Sequence, residues 1–174
     1  FMFIQHMINV LKEDGKCATV VPLGPLFRGG QELEARKKFI DNKTLRAVIA
    51  LPPSLFYNTS IPAAIMIFDM EGGEDRSGVL FINASNGFED RAKQNKLREE
   101  DIEKILHVYR NPEVPVPSYS RIISWAELES EEGAYNCYVR RWVNNADPPT
   151  PQSVRAHLHG GVPLSEIEDA ANYW

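Results

Sequence analysis

Apolar positions along this chain change period several times, and each change marks an element. Phe3, Ile4, Met7, Ile8 and Leu11 recur at helical spacing, and Asp14-Gly15 supplies a stop with glycine at the C′ position. Cys17 to Val21 is a continuous apolar run closed by Pro22, which predicts a strand buried on both faces. Leu23 to Gly30 is a loop with three glycines and a proline. Glu32 and Glu34 open a second helix, Lys37 and Lys38 sit nearer its end as the helix dipole favours, and Asn42 ends it. Leu45 to Leu51 is the next strand. Helix, strand, helix, strand predicts right-handed crossovers in a parallel sheet. Ala63 to Asp69 follows with no helical pattern between, so it is expected to pair antiparallel with its predecessor. Gly72-Gly73 and Gly78 mark a turn, and Val79 to Asn83 reads as another strand or a sheet extension.

After Asn83 the character changes. Phe88 to Lys104 is densely charged with alternating sign, the pattern of a solvated face. Ile102, Ile105, Leu106 and Tyr109 predict a short amphipathic helix, and the three prolines of Asn111 to Pro117 a linker. Tyr119 to Ile123 reads as a strand, and Ser124-Trp125-Ala126-Glu127 as a capping box that starts a short helix. Tyr135 to Val143 is expected to be extended. A second proline-rich linker, Asn144 to Pro151, precedes a tail in which Thr150 caps Pro151, Gly160-Gly161 breaks the pattern, and a last helix starts at Ser165.

With 174 residues, one domain plus an appendage is expected, and the 43% apolar and 25% charged composition is that of a globular protein. A net charge of −5 argues against a wholly basic nucleic-acid binder but leaves room for a local contact face. Cys17 and Cys137 match no metal or redox spacing, which suggests reduced thiols in a cytoplasm. No apolar run approaches the ~18 residues of a membrane span. Phe1 opens mid-pattern without a basic leader, which predicts a piece of a longer protein.

The connector Leu51-Pro52-Pro53-Ser54-Leu55-Phe56-Tyr57-Asn58-Thr59-Ser60-Ile61-Pro62 stands out. It joins two apolar runs, yet prolines stiffen both its ends and an aromatic pair marks its tip. Such a loop suits a surface that grips something flat. Phosphate-binding signatures are absent: there is no G-x-G-x-x-G and no P-loop, and Gly24, Gly29 and Gly30 have the spacing of turn glycines, not of a dinucleotide loop. His157-x-His159 is too thin for a metal site, Cys17 lies in a predicted buried strand, and no G-x-S-x-G elbow occurs.

Two proline pairs invite comparison with amino-group methyltransferases. Those enzymes place Asp or Asn, then Pro-Pro, then an aromatic at a strand end. The polar side chain and a carbonyl accept from the target amine, and the aromatic stacks on the extruded base. Asp147-Pro148-Pro149-Thr150 has the acid but no aromatic and lies in a linker; Leu51-Pro52-Pro53-Ser54 follows a strand but carries Leu where the acceptor is needed. Both read as structural.

Four segments together resemble the modification (methyltransferase) subunit of type I restriction-modification systems. They are Val20 to Gly30 leading into Glu34 to Lys38; Val48 to Pro62; Phe81 to Ser85 with Gln94-Asn95-Lys96-Leu97 and Asp101-Ile102; and Tyr119 to Ser124. The likeness spans Phe3 to about Val143, and Val154 to Leu158 with Gly160-Gly161-Val162-Pro163 is similar to the end of some members. The resemblance implies N6 methylation of adenine in DNA with S-adenosylmethionine as donor. It implies a complex with a specificity subunit, a second modification subunit and in some assemblies a restriction subunit.

It also implies an α/β fold: the C-terminal half of a Rossmann-like class I methyltransferase sheet, mixed, with a terminal antiparallel hairpin, plus a small α/β extension. On that basis residues 1–87 are expected to form the methyltransferase half, 88–147 the extension and 148–174 a helical tail. The family's donor-binding glycine motif and its Asn-Pro-Pro-aromatic motif are not present, so by itself this chain is expected to bind the donor poorly and to methylate nothing. In similar enzymes an aromatic in the loop before the final strand stacks on the flipped adenine. Phe56 matches that position best and Tyr57 second, whereas the plain alternative is that Phe56 plugs the open end of the sheet. Asn58, Thr59 and Arg28 are candidate DNA contacts. Two readings of another class compete. One is a non-catalytic assembly module, in which residues from Phe88 onward, with tail helices around Val154–Leu158 and Ile167–Ala171, dock the specificity subunit. The other is a small-molecule methyltransferase, for which no donor pocket is legible.

Overall fold

Residues 2–145 and 160 are described in the computed structural model. The expected tail helices and the Asp147-Pro148-Pro149-Thr150 segment lie outside the described residues. Helix α1 (Met2–Asn9) leads into strand β1 (Lys16–Pro22), a 3-10 turn (Gly24–Leu26) and helix α2 (Gln31–Asp41). Strands β2 (Leu45–Ala50), β3 (Ala63–Asp69) and β4 (Gly78–Asn83) follow, then α3 (Glu99–Arg110), β5 (Ser120–Ser124), α4 (Trp125–Glu129) and α5 (Val139–Trp142). The strands form one mixed sheet in the order β1-β3-β2-β4-β5. The α/β class expected from the sequence is what forms.

Strand β3 runs antiparallel to both β1 and β2, and β2 runs parallel to β4. The antiparallel hairpin of β2 and β3 is as expected. The simple parallel crossover from β1 to β2 is not: the two share a direction, but β3 is inserted between them. A helical connection fixes strand direction, not adjacency, so the pattern left room for a third strand to take the gap.

Period-2 alternation sorts side chains to two cores. Val48, Ala50, Val79 and Phe81 face one side with Phe39, Ile40 and Phe68, under α1, α2, α4 and α5. Ala47, Ile49, Leu51, Leu80 and Ile82 face the other with Ile105 and Val108 of α3. Phe39 meets Phe68 edge-on with ring centroids 5.0 Å apart, a contact worth about 1 kcal/mol beyond burial. Because both faces of β2 and β4 are covered, residues 47–50 and 79–82 read as continuous apolar runs, with Arg46 the one charged residue in β2.

Strand β1 departs from this expectation. Val21 is buried, but Val20 on the other face is 51% exposed. Among the described residues only α3 covers that face, and it lies over β2 and β4. The inward face of α3 is Asp101, Ile105 and Val108, so Ile102 and Leu106 of the expected stripe point outward. Gly15 is not a left-handed cap; it sits where a Cβ would meet Leu11 Cβ and the Lys12 carbonyl at 2.9 Å. Tyr135 to Val143 is not extended either. Ala134 and Tyr135 take positive φ, Asn136 Oδ1 accepts from the Tyr138 amide, and the chain turns into α5. Of the predicted capping box at Ser124 the first half forms, the hydroxyl accepting from the Glu127 amide at 3.2 Å, while the Glu127 carboxylate accepts from Arg121 instead.

Candidate nucleic-acid interface

Strands β1, β2 and β4 share a direction, so their C-terminal ends release three connections at one edge of the molecule. These are residues 23–30, 51–62 and 84–98. Pro22 pairs with Ala63, and Ala50 pairs with Ala64, so the first two connections leave two strand spacings apart, roughly 10 Å.

The 51–62 loop begins as a continuation of the sheet, with the Leu51 amide donating to the Ala63 carbonyl at 2.9 Å. Leu51 is buried in the α3-side core, as a structural reading of Leu51-Pro52-Pro53 requires. The chain then turns through positive φ at Ser54 (56°) and Asn58 (61°), which costs a side-chain-bearing residue of order 1 kcal/mol each unless the surroundings enforce it. Between these points Phe56 is 42% and Tyr57 83% exposed. Among the described residues the loop thus leaves Tyr57 largely solvated and Phe56 partly so. Asn58 and Thr59 are exposed on the descending limb, where Thr59 Oγ1 accepts from the Ile61 amide.

The enforcement comes from residues 84–98. Glu89 and Lys96 exchange backbone hydrogen bonds, folding the segment into a small hairpin. Its returning limb reaches the loop: the Asn95 amide donates to the Ser54 carbonyl and Asn95 Nδ2 to the Pro53 carbonyl, both at 2.9 Å, and Gln94 Nε2 donates to the Leu55 carbonyl at 2.5 Å. The limb ends at the start of α3, where the Asp101 carboxylate reaches back to Arg98. Asp101 accepts from the Arg98 amide at 3.1 Å and from its guanidinium at 2.8 and 3.0 Å, and these bonds hold the Asp101 carboxyl below its usual range. Most of this segment is solvated, as its charge pattern indicated; Gln94 and Asn95, with Leu97 and Asp101, are exceptions that the pattern concealed.

The connection carrying Arg28 is set by Arg36. This guanidinium is 1% exposed and donates to three carbonyls, of Pro25 at 2.6 Å, Arg28 at 2.8 Å and Tyr135 at 2.8 Å. Burial pulls its pKa down, and the nearby Cys137 and Glu32 work the other way. Arg28 itself is exposed, and its guanidinium packs over Gly24, where a Cβ would lie 2.8 Å from Cζ. Sequence reasoning passed over Arg36, although it shares the inward face of α2 with Ala35, Phe39 and Ile40. Beside β4, Asn83 Nδ2 donates to the Val143 carbonyl at 2.8 Å and its Oδ1 accepts from Ser85 Oγ at 2.7 Å, which ties the end of α5 to this edge.

The 23–30 loop lacks the features of a donor-binding glycine loop. Gly24 is covered by Arg28, nothing stands within 4 Å of a Cβ placed on Gly29 or Gly30, and no acidic residue lies in the 23–30 loop to hold a ribose. A cavity of about 530 Å³ lined by Lys16, Arg46, Asp69, Arg76 and Tyr109 lies at the opposite end of the sheet, beside the N-terminal ends of β1, β2 and β4. No described helix is long and apolar enough to cross a membrane.

The family model described as N-6 DNA Methylase matches residues 1–148. The methylase subunit of type I restriction enzyme MjaVII from Methanocaldococcus jannaschii is 39% identical over 145 residues, covering 81% of this chain and 24% of that protein. The MpnII methylase subunit from Mycoplasma pneumoniae is 31% identical over 167 residues, covering 96% of this chain and 30% of that protein. Among solved structures, the type I restriction-modification methyltransferase subunit from Streptococcus thermophilus superposes with a TM-score of 0.76 at 34% identity, covering 84% of this chain and 30% of that one. The chain thus spans less than a third of the length of each of these three relatives.

Proposed function

The chain belongs to the N-6 DNA methylase family, and from that premise we propose that it carries the target-base side of a type I restriction-modification methyltransferase acting on adenine N6 in DNA. S-adenosylmethionine is the methyl donor in this reading, and the donor pocket and amine acceptor come from outside these residues. The observation that carries it is the 51–62 loop: an aromatic tip held outward at the C-terminal edge of the sheet by backbone-directed hydrogen bonds. An extruded adenine offers a flat π-face, and stacking on Phe56, with Tyr57 as second choice, would contribute roughly 1–3 kcal/mol. Arg28, Asn58 and Thr59 would contact the DNA backbone on either side, fixing position rather than sequence. A specificity subunit reads the site, a second modification subunit completes the clasp on the duplex, and a restriction subunit joins in some assemblies. The cytoplasm is where such an assembly meets its DNA.

The test uses the full-length protein assembled with its partner subunits. Phe56→Ala should lower methylation and base extrusion about tenfold or more, following the loss of one stacked base, while donor affinity stays unchanged. Unchanged methylation and extrusion would remove Phe56 from the site.

A second reading has its own observation. Ile102 (44% exposed) and Leu106 (41%) lie one turn apart on α3, with Val114 (56%) beyond its end. That apolar face supports docking of the specificity subunit onto the region after Phe88. A Leu106→Glu variant that still co-elutes with that subunit in gel filtration would count against it.

A further inference from the structure

We propose that Gln94 and Asn95 are positioning residues that hold the 51–62 loop in the shape that presents Phe56; this rests on the reading of Phe56 as the stacking face. Three consecutive carbonyls of the loop, Pro53, Ser54 and Leu55, are each taken by a donor from these two residues. The contacts bracket Ser54, whose φ of 56° a side-chain-bearing residue seldom adopts, and end one residue before Phe56. A loop with only its own contacts would relax from that φ and swing the ring away. Two prolines stiffen φ at positions 52 and 53 but cannot dictate ψ, so the orientation of the carbonyls is left to the donors. The residues that supply them are unlike the basic residues around them: Arg91, Lys93, Lys96 and Arg98 are exposed, whereas Asn95 is 9% exposed and Gln94 half-buried. Their own place is secured by the Glu89–Lys96 bridge on one side and the Arg98–Asp101 ion pair on the other. The strap thus couples the loop that carries Phe56 to the chain between β4 and α3.

The test uses the full-length protein with its partner subunits and a duplex of the modified sequence carrying 2-aminopurine at the target adenine. Gln94→Glu and Asn95→Asp preserve shape but replace each NH2 donor with an oxygen facing a carbonyl. Each should raise KM for DNA roughly tenfold, reduce the fluorescence of the extruded base, speed amide exchange through residues 54–58 and leave donor affinity unchanged. Gln94→Lys, which restores a donor, should recover most of the loss. In a Phe56→Ala background Gln94→Glu should add little, because both act through one ring. Equal cost in both backgrounds, or silent strap variants beside a damaging Phe56→Ala, would overturn the inference and leave the stacking reading intact. A silent Phe56→Ala would instead sink the stacking reading. In that case loop exchange alone decides: faster exchange in the strap variants upholds the strap as holder of the loop, and unchanged exchange removes it.

Discussion

The two ends of the sheet are held by opposite means. At the C-terminal ends of β1, β2 and β4, loops are pinned by side chains donating to backbone carbonyls: Arg36 to three, Gln94 and Asn95 to two more. At the other end, charge meets charge. Asp69 is 1% exposed and accepts from Arg46 at 2.7 Å, with Lys16 at 3.2 Å and Arg76 at 3.6 Å. Arg46 reaches it from a β-bulge in β2 and stacks over Tyr109, its Cζ 4.8 Å from the ring centroid. The contrast separates two ways of fixing a sheet end. The charged end has a cavity, and most of its cationic donors are taken by Asp69 and by backbone carbonyls, Arg76 Nε being left without a partner among the described residues. The loop end is open, yet it offers strained backbone and exposed aromatic surface. Carbonyl-directed pinning sets loop shape while leaving the outward side chains free to meet a ligand; ion pairing uses up the side chains themselves.

The comparison can be broken most easily at Arg36. Arg36→Met leaves the Pro25, Arg28 and Tyr135 carbonyls without their donor, and stability should fall by about 3 kcal/mol, since each unmet buried carbonyl costs about 1 kcal/mol or more. Urea denaturation measures it, and a loss below ~1 kcal/mol would mean the loop end does not depend on this pinning.

The charged end should respond less and differently. Burial pushes the Asp69 carboxyl up, but hydrogen bonds from Arg46, Lys16 and the Glu71 amide outweigh it and bring the pKa below the ordinary 3.8. A depressed folded pKa means the stabilisation is complete above the unfolded value and is lost as pH falls through the folded one. Asp69→Asn should cost about 2 kcal/mol at pH 7, less than a fully buried pair because its partners are partly solvated. The gap between wild type and variant should close as pH drops below about 4. A gap independent of pH would show that packing, not charge, holds this end.

The smallest effect sharpens the contrast without altering stability. Burial pushes the Cys137 thiol up to about 12, against the opposing pull of Arg36, while Cys17 is raised by burial but only half-buried. A thiol reagent at pH 8 should label Cys17 and leave Cys137 untouched until the protein unfolds. Arg36→Met should expose Cys137 early, because the Cys137 amide is bonded to the Leu26 carbonyl of the loop that Arg36 holds.

Much of this arrangement was legible beforehand. Apolar runs marked β2 and β4 as strands, though the run expected to be covered on both faces was β1, whose outer face is open; a helix-free connector marked the β2–β3 hairpin, and three prolines with an aromatic pair marked the loop proposed as the site. Arg46 inside an apolar strand was a visible signal of a bulge, and Arg36 on the inward face of α2 a visible signal of a buried cation. Neither signal named a partner. The charge pattern of residues 88–104 hid Gln94 and Asn95, because periodicity reports which residues meet water, not which polar group finds a distant carbonyl.

The sequence by itself determined most of the elements up to α4, the class of sheet and the family, since these follow from local period, turn chemistry and the order of a few segments, but it missed α5. Only the tertiary structure decided that β3 enters between β1 and β2, that one sheet end is pinned by donors and the other by ions, and that a strap about 40 residues downstream bonds the aromatic loop. Hydrogen bonds and ion pairs are satisfied by proximity in space, and no spacing along the chain encodes which buried carbonyl a given amide will reach.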